Sequence, residues 1–238
     1  MSESPRIAAV SGITELAPFY ADPPDGVRAN MIFSADGAAA FGGRAGPLSC
    51  PTDQRLFNIL RGLADVVLVG AGTARAENYG PVTLSDAARA RRHHEGRIGP
   101  PPIAVVSRSG ALPARLFSNP DQPPILVTCA RTAARYDLDE DRQHIMVAGA
   151  DSVDVSRAVA ILREQGMHHI LCEGGPTLLD ELVEADVVTE ICVTLAPKLA
   201  ANQPVGHRLH PARLPGPVTM SLEHALVSDS YLYLKYRR

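Results

Sequence analysis

The stretch HHILCEGGPTLLDELV, residues 168–183, decides how the rest of the chain is read. Ile170, Leu171 and Cys172 make a short apolar run of the kind that ends a buried strand. Gly174 and Gly175 follow, and glycine lets the main chain turn sharply and lets a ligand approach it closely. Pro176 suits the first position of a helix, and residues 177–183 continue with an apolar stripe. A strand, a glycine turn and a helix N-terminus in succession make a place for a phosphate, because unpaired amides and the helix dipole favour an anion. The same residues also fit an ordinary tight turn, and the stretch alone does not separate the two readings.

Outward from there, other short apolar runs repeat the pattern. Residues 27–33, 66–69, 103–106, 125–128, 145–147 and 191–195 read as strands, and 52–64 and 153–165 as helices, the first capped by Thr52 or Asp53. The run Val66-Val67-Leu68-Val69 is apolar at every position and suits a central parallel strand. Residues 218–236 alternate and turn at Ser228-Asp229-Ser230, which reads as an antiparallel hairpin at one edge. Residues 81–102 read as mobile, with a helical part around 85–92. Strands alternating with helices imply an α/β fold, a mostly parallel sheet with helices on both faces. The expected division is an N-terminal arm with weak structure over 1–26 and a single domain over 27–238.

The bulk numbers exclude several classes. A chain of 238 residues with 45% hydrophobic residues buries a sizeable core. A net charge of -3 gives no global field for nucleic acid. No apolar stretch reads as a signal peptide or a membrane span, so the expectation is a cytoplasmic protein. Cys50, Cys129, Cys172 and Cys192 lie far apart and read as reduced thiols. His93-His94-Glu95 contains H-x-E without the P-C-x-x-C that would make it a zinc motif, so no metal is expected.

In open parallel sheets ligands sit beyond the carboxyl ends of the strands. That rule brings 34–37, 70–73, 107–110 and 173–177 to one cleft. Gly70-Ala71-Gly72-Thr73 is a G-x-G after a strand, without the third glycine of the dinucleotide fingerprint. With 173–177 it suggests one extended ligand carrying several anionic groups. Ser107-Arg108-Ser109 at a further strand end reads either as an exposed loop arginine, the safer choice on these residues alone, or as a guanidinium beside hydroxyls that suits a phosphate monoester. Asp36 and Glu173 are carboxylates at the same edge. The first is a common turn residue, or a group that binds an amino-pyrimidine or supplies a proton. The second, poorly placed beside a pyrophosphate, faces a substrate.

Four segments, RANMIFSADGAAA, ADVVLVGAGTARAENYG, ILCEGGPTLLDELV and ICVTLAPKL, together resemble in the same order the reductase domain of the bifunctional riboflavin-biosynthesis deaminase/reductase, and more closely its stand-alone bacterial pyrimidine reductases. The resemblance runs from about Val27 to the C-terminus. It implies a dihydrofolate-reductase-like three-layer sandwich and an NADPH-dependent homodimer. The implied reaction reduces the ribosyl chain of a 5′-phosphorylated ribosylaminouracil at C1′. By motif position it places Gly70, Gly72 and Thr73 at the nicotinamide half and its phosphates, and Gly174, Gly175, Pro176, Thr177 and Leu178 at the pyrophosphate. Ser107 and Arg108 fall by the adenosine ribose. Asn30, Ser34, Asp36, Ser49, Arg61 and Glu173 fall on the substrate side, with Asp36 and Glu173 in catalysis and Arg55 one residue out of register. It also implies a cis peptide at Gly174-Gly175.

The chain departs from the pattern in three places. Ala35 replaces a leucine, 76–81 lacks the arginine that helps bind the ribose phosphate, and Ala200-Ala201-Asn202-Gln203 replaces a glycine pair. Reduction of dihydrofolate or another pterin is therefore the alternative, and a non-catalytic nucleotide-binding protein a further one.

Overall fold

A computed structural model describes residues 4–135, 143–201 and 214–238. In chain order the elements are β1 (Arg6–Ala9), α1 (Ile13–Leu16), β2 (Gly26–Ser34), α2 (Pro51–Leu63), β3 (Val66–Gly70), α3 (Ala71–Ala76), α4 (Asp86–His94) and β4 (Ile103–Val106). They continue with β5 (Ile125–Thr128), α5 (Ala130–Arg135), β6 (His144–Val147), α6 (Val155–Glu164), β7 (His169–Cys172), α7 (Pro176–Glu184), β8 (Val188–Ala196), β9 (Ser221–Ser228) and β10 (Tyr231–Arg237).

All the strands among the described residues join one sheet in the order β1-β9-β10-β8-β2-β7-β3-β4-β5-β6. Only β10 runs against its neighbours; every other adjacent pair is parallel. The two faces carry separate cores. Val67 and Val69 of β3 pack on one side with Leu56 and Leu60 of α2, while Val66 and Leu68 pack on the other with Leu162 of α6 and Leu178 and Leu182 of α7. Side chains alternate along a strand, so a strand with a helix layer on each face must be apolar throughout. That is why the 66–69 run carries no polar residue. The three-layer α/β sandwich is thus the one the sequence implies.

Four readings are corrected. The arm over 1–26 is not weakly structured where it is described: β1 pairs with β9 at the outer edge of the sheet, and Leu16 and Tyr20 are fully buried. The C-terminal hairpin is not the edge, because β10 lies between β9 and β8. The helix over 52–64 is capped not by Thr52 or Asp53 but by Cys50, whose sulfur accepts from the Asp53 N–H at 3.5 Å, with Pro51 as the first helical residue. Residues 81–102 are anchored: Val82 and Leu84 are buried, α4 spans nine residues, and buried Arg92 donates to the Ala64 carbonyl at the end of α2 and to the Gly99 carbonyl at 2.7 Å. An arginine on the Ala64 carbonyl satisfies an acceptor that the end of α2 leaves open. A six-residue helix, α5, was not anticipated. No helix among the described residues is long and apolar enough to cross a membrane.

Candidate active site

Because β2, β7, β3 and β4 are parallel neighbours, their carboxyl ends share one edge of the sheet. The Gly70 N–H at the end of β3 donates to the Gly174 carbonyl beyond β7 at 2.9 Å, and the Glu173 N–H donates to the Leu68 carbonyl at 3.0 Å. The two glycine segments are therefore in direct contact, and Gly174-Gly175 is cis. Gly174 has φ +81, and a Cβ there would also meet the Met31 sulfur at 3.3 Å. A Cβ on Gly175 would lie 2.4 Å from the Thr73 hydroxyl. Gly72 differs: among the described residues, nothing beyond its own helix backbone and chain neighbours lies within 4 Å of where its Cβ would be. Gly175 caps α7 with no side chain, and Pro176 occupies the first turn, so the Thr177 and Leu178 amides end the helix without a side-chain acceptor.

On the α2 side of the sheet Glu173 is held on three sides. Arg61 donates to both its oxygens at 2.6 and 2.7 Å, and the Tyr79 hydroxyl donates to Oε2 at 2.6 Å. The Glu173 side chain is 1% exposed and that of Arg61 13%. The guanidinium also lies over the rings of Phe57 and Tyr79. Burial works against the Arg61 charge, but the Glu173 carboxylate more than offsets it and holds the guanidinium above its usual range. Burial, then the same carboxylate, pushes the Tyr79 phenol well above its usual range, so it stays a donor.

Asp36 is an exposed carboxylate held by Ser34 Oγ at 2.5 Å and by the N–H groups of Ala200 at 3.1 Å and Ala201 at 2.8 Å. The serine hydroxyl first, then the Ala200 amide, lower its pKa. Asp36 is therefore an ionised acceptor at neutral pH, not a stored proton. Ser49 donates to Asp53 at 2.6 Å. Burial raises the Asp53 pKa despite that bond. Asn30 is half-buried on β2 opposite Cys192. Ser107 is buried, with its hydroxyl on the Ala111 carbonyl at 3.3 Å, while Arg108 next to it is exposed and its carbonyl accepts from Thr132 at 2.7 Å.

The strand ends thus gather the glycine segments, Asp36 and Ser107-Arg108 at one edge, as the sequence implied. Arg61 and Glu173 are brought together but onto each other, so neither side chain is presented as an open substrate contact. Ser49 is likewise directed at Asp53. Tyr79 was missed. Its signal was the aromatic inside the 76–81 departure, a natural partner for a carboxylate once Arg61 and Glu173 are adjacent.

The RibD C-terminal domain family matches residues 26–208. The chain belongs to that family. Among curated relatives, the 2,5-diamino-6-ribosylamino-4(3H)-pyrimidinone 5′-phosphate reductase of Archaeoglobus fulgidus is 30% identical over 155 residues, 63% of this chain and 69% of that protein. The protein of the same name from Methanothermobacter thermautotrophicus is 26% identical over 178 residues, 73% of this chain and 78% of that one. The crystal structure of a pyrimidine reductase-like protein from Corynebacterium diphtheriae is 26% identical with a TM-score of 0.76, covering 94% of this chain and 96% of that one. A diaminohydroxyphosphoribosylaminopyrimidine deaminase/5-amino-6-(5-phosphoribosylamino)uracil reductase from Thermotoga maritima shares the fold at 18% identity and TM-score 0.67, covering 90% of this chain and 56% of that one. In this RibD C-terminal domain the glycine pair falls inside the matched span, as do Asp36, Tyr79 and Glu173.

Proposed function

We propose that the chain is an NADPH-dependent reductase of a 5′-phosphorylated ribosylaminopyrimidine, acting at the ribosyl C1′ in riboflavin biosynthesis. The observation that carries the reading is the joined glycine edge. Gly70 is bonded to Gly174, a Cβ on Gly175 would meet the Thr73 hydroxyl, and the N-terminus of α7 starts beside them. Gly72 adds to it, since among the described residues no neighbour outside its own helix crowds that position. Such an edge fits a dinucleotide, whose pyrophosphate would meet the Thr177 and Leu178 amides and whose nicotinamide half would lie by Gly70, Gly72 and Thr73. Exposed Arg108 would face the adenosine ribose phosphate. NADPH, when bound, supplies the hydride.

The chain's own residues orient the substrate. Asp36, ionised and exposed, accepts from a substrate N–H or hydroxyl. Glu173 is a positioning residue: fixed by Arg61 and Tyr79, it sets the main chain that leads into Gly174. The protein's contribution is placement of the reacting carbons and exclusion of water. The relatives named as ribosylaminopyrimidinone phosphate reductases support the substrate class.

A homodimer is part of the reading. Val193 and Leu195 of β8 and Leu232 and Leu234 of β10 alternate with residues of the α2-side core and so point to the opposite face. There Leu232 and Val227 are each 38% exposed, and a second copy would cover them. The functional test is oxidation of NADPH by purified protein given the ribosylaminopyrimidine phosphate. Turnover with that substrate supports the reading. Turnover with dihydrofolate alone would replace it by a pterin reductase.

A further inference from the structure

Between β2 and α2 the chain makes a small hairpin. Phe41 and Arg44 exchange both backbone hydrogen bonds, at 2.8 and 3.2 Å, around Gly42 at φ 58 and Gly43 at φ 78. Two positive φ values at the tip define a tight turn that only glycine and a few polar residues adopt readily. Residues paired in this way project side chains from the same face. Here those are an aromatic ring, 52% exposed, and a guanidinium side chain, 61% exposed.

The hairpin is tethered. The Ala45 N–H donates to Glu77 Oε1 at 2.5 Å, and Arg44 Nε lies 3.5 Å from Glu77 Oε2. Glu77 closes α3, which follows β3. The sheet places β7 between β2 and β3. A loop that leaves β2 and reaches the helix after β3 therefore spans the carboxyl end of β7, where Glu173 and the glycine pair lie.

Two other cations near this edge are already committed. Arg61 is buried on Glu173, and Lys198 Nζ donates to the carbonyls of Pro47 at 2.8 Å and Ser49 at 3.0 Å. Arg44 is engaged on its Nε side, which leaves the terminal nitrogens of an exposed guanidinium as a fork suited to a phosphate.

We propose that Arg44, held by Glu77 on the hairpin across the end of β7, binds the phosphate of the substrate, with Phe41 lying against its ribosyl-pyrimidine part. This rests on the proposed function, and names the group that sets its preference for phosphorylated over dephosphorylated substrates.

The test uses the intact protein and calorimetric titration with uridine 5′-monophosphate and with uridine as probes. Wild type should bind the monophosphate at least about tenfold more tightly, the order expected of a charge-assisted contact. Arg44→Gln should bring the two probes within about twofold, and Glu77→Gln should weaken the preference in part, since it frees the guanidinium from its tether. Arg89→Gln, which removes an exposed arginine paired with Asp86 on α4, should leave the preference intact. Equal binding, or no binding, of both probes by wild type overturns the proposal, as does a preference that survives in Arg44→Gln. NADPH titration of the same proteins keeps the claims apart. Loss of the phosphate preference in Arg44→Gln with NADPH affinity unchanged supports it, whereas a wild type that binds no NADPH contradicts the functional reading alone.

Discussion

Glu173 is a carboxylate taken almost wholly out of water, and that is affordable only because Arg61 and Tyr79 meet it. Removing one partner of a buried pair leaves the other charge uncompensated, at a cost of about 3–5 kcal/mol. Arg61→Met should therefore lower stability by that order in denaturant unfolding, while Tyr79→Phe, which removes one bond to a charged acceptor, should cost about 1.5–3 kcal/mol. Equal, negligible losses would mean that Glu173 is not held as described. At Ala201 the backbone has φ +55, and its N–H serves Asp36. A glycine there keeps that bond and relieves the left-handed penalty, so Ala201→Gly should raise stability by up to about 1 kcal/mol. Asp36 itself has a lowered pKa, so its bonds to Ser34 and the 200–201 amides are complete above the ordinary carboxylate range and are lost as pH falls through its folded value. His224 is buried against Phe19 and Tyr20, with Lys235, Glu223 and Arg28 facing it. Burial first, then Lys235, lower its pKa to about 4. The unfolded chain therefore binds this proton first, and stability should decline as pH falls from about 6.5 towards 4. His224→Phe should flatten that part of a pH–stability profile measured by urea unfolding, and an unchanged slope would contradict the assignment.

At the scale of elements, the short helix α3 carries the sharpest separation of fold from function. Gly72 lies inside it with open space where a Cβ would be. Alanine is the better helix former, so Gly72→Ala should stabilise the fold by about 0.5–1 kcal/mol. On the proposed cofactor placement the same methyl would obstruct the dinucleotide, and NADPH should bind at least about tenfold more weakly. A variant that gains stability and keeps its NADPH affinity would remove α3 from the cofactor site. Central elements were legible in the sequence because both faces of β3 and β7 are covered, and that demand leaves continuous apolar runs. The α2 register was legible from Leu56, Leu60 and Leu63, but its cap was not, because a cysteine rarely fills that place. β1 was illegible for the opposite reason. Arg6-Ile7-Ala8-Ala9 lies at an edge with Ile7 76% exposed, so no alternation marks it. Residues 81–102 looked mobile from composition, yet Arg92 and Arg97 carry their charges to the carbonyls that end α2, a use that no local pattern announces.

For the whole molecule, parallel order does most of the functional work. It brings four distant segments to one edge, which is why the glycine segments and Asp36 were readable from strand order alone. What it does not specify is which side chains satisfy one another there. Arg61 comes from α2, Glu173 from the turn after β7 and Tyr79 from the segment after α3; they close on each other only in the folded chain, so their pairing was out of reach of motif spacing. The partly exposed apolar face of β8 and β10 is also a property of the assembled sheet. Leu232→Glu should place a charge on it and convert a dimer to a monomer in light scattering, with the NADPH site intact. A monomeric wild type would mean that face is not an interface between copies of this chain. The central claim is that the joined glycine edge is a dinucleotide site serving reduction of a phosphorylated ribosylaminopyrimidine. The most direct measurement is fluorescence titration with NADPH and NADH, followed in the same cuvette by that substrate. Tighter binding of NADPH and loss of nicotinamide absorbance on addition of substrate are the results expected. Failure to bind either nucleotide would contradict the account at its root.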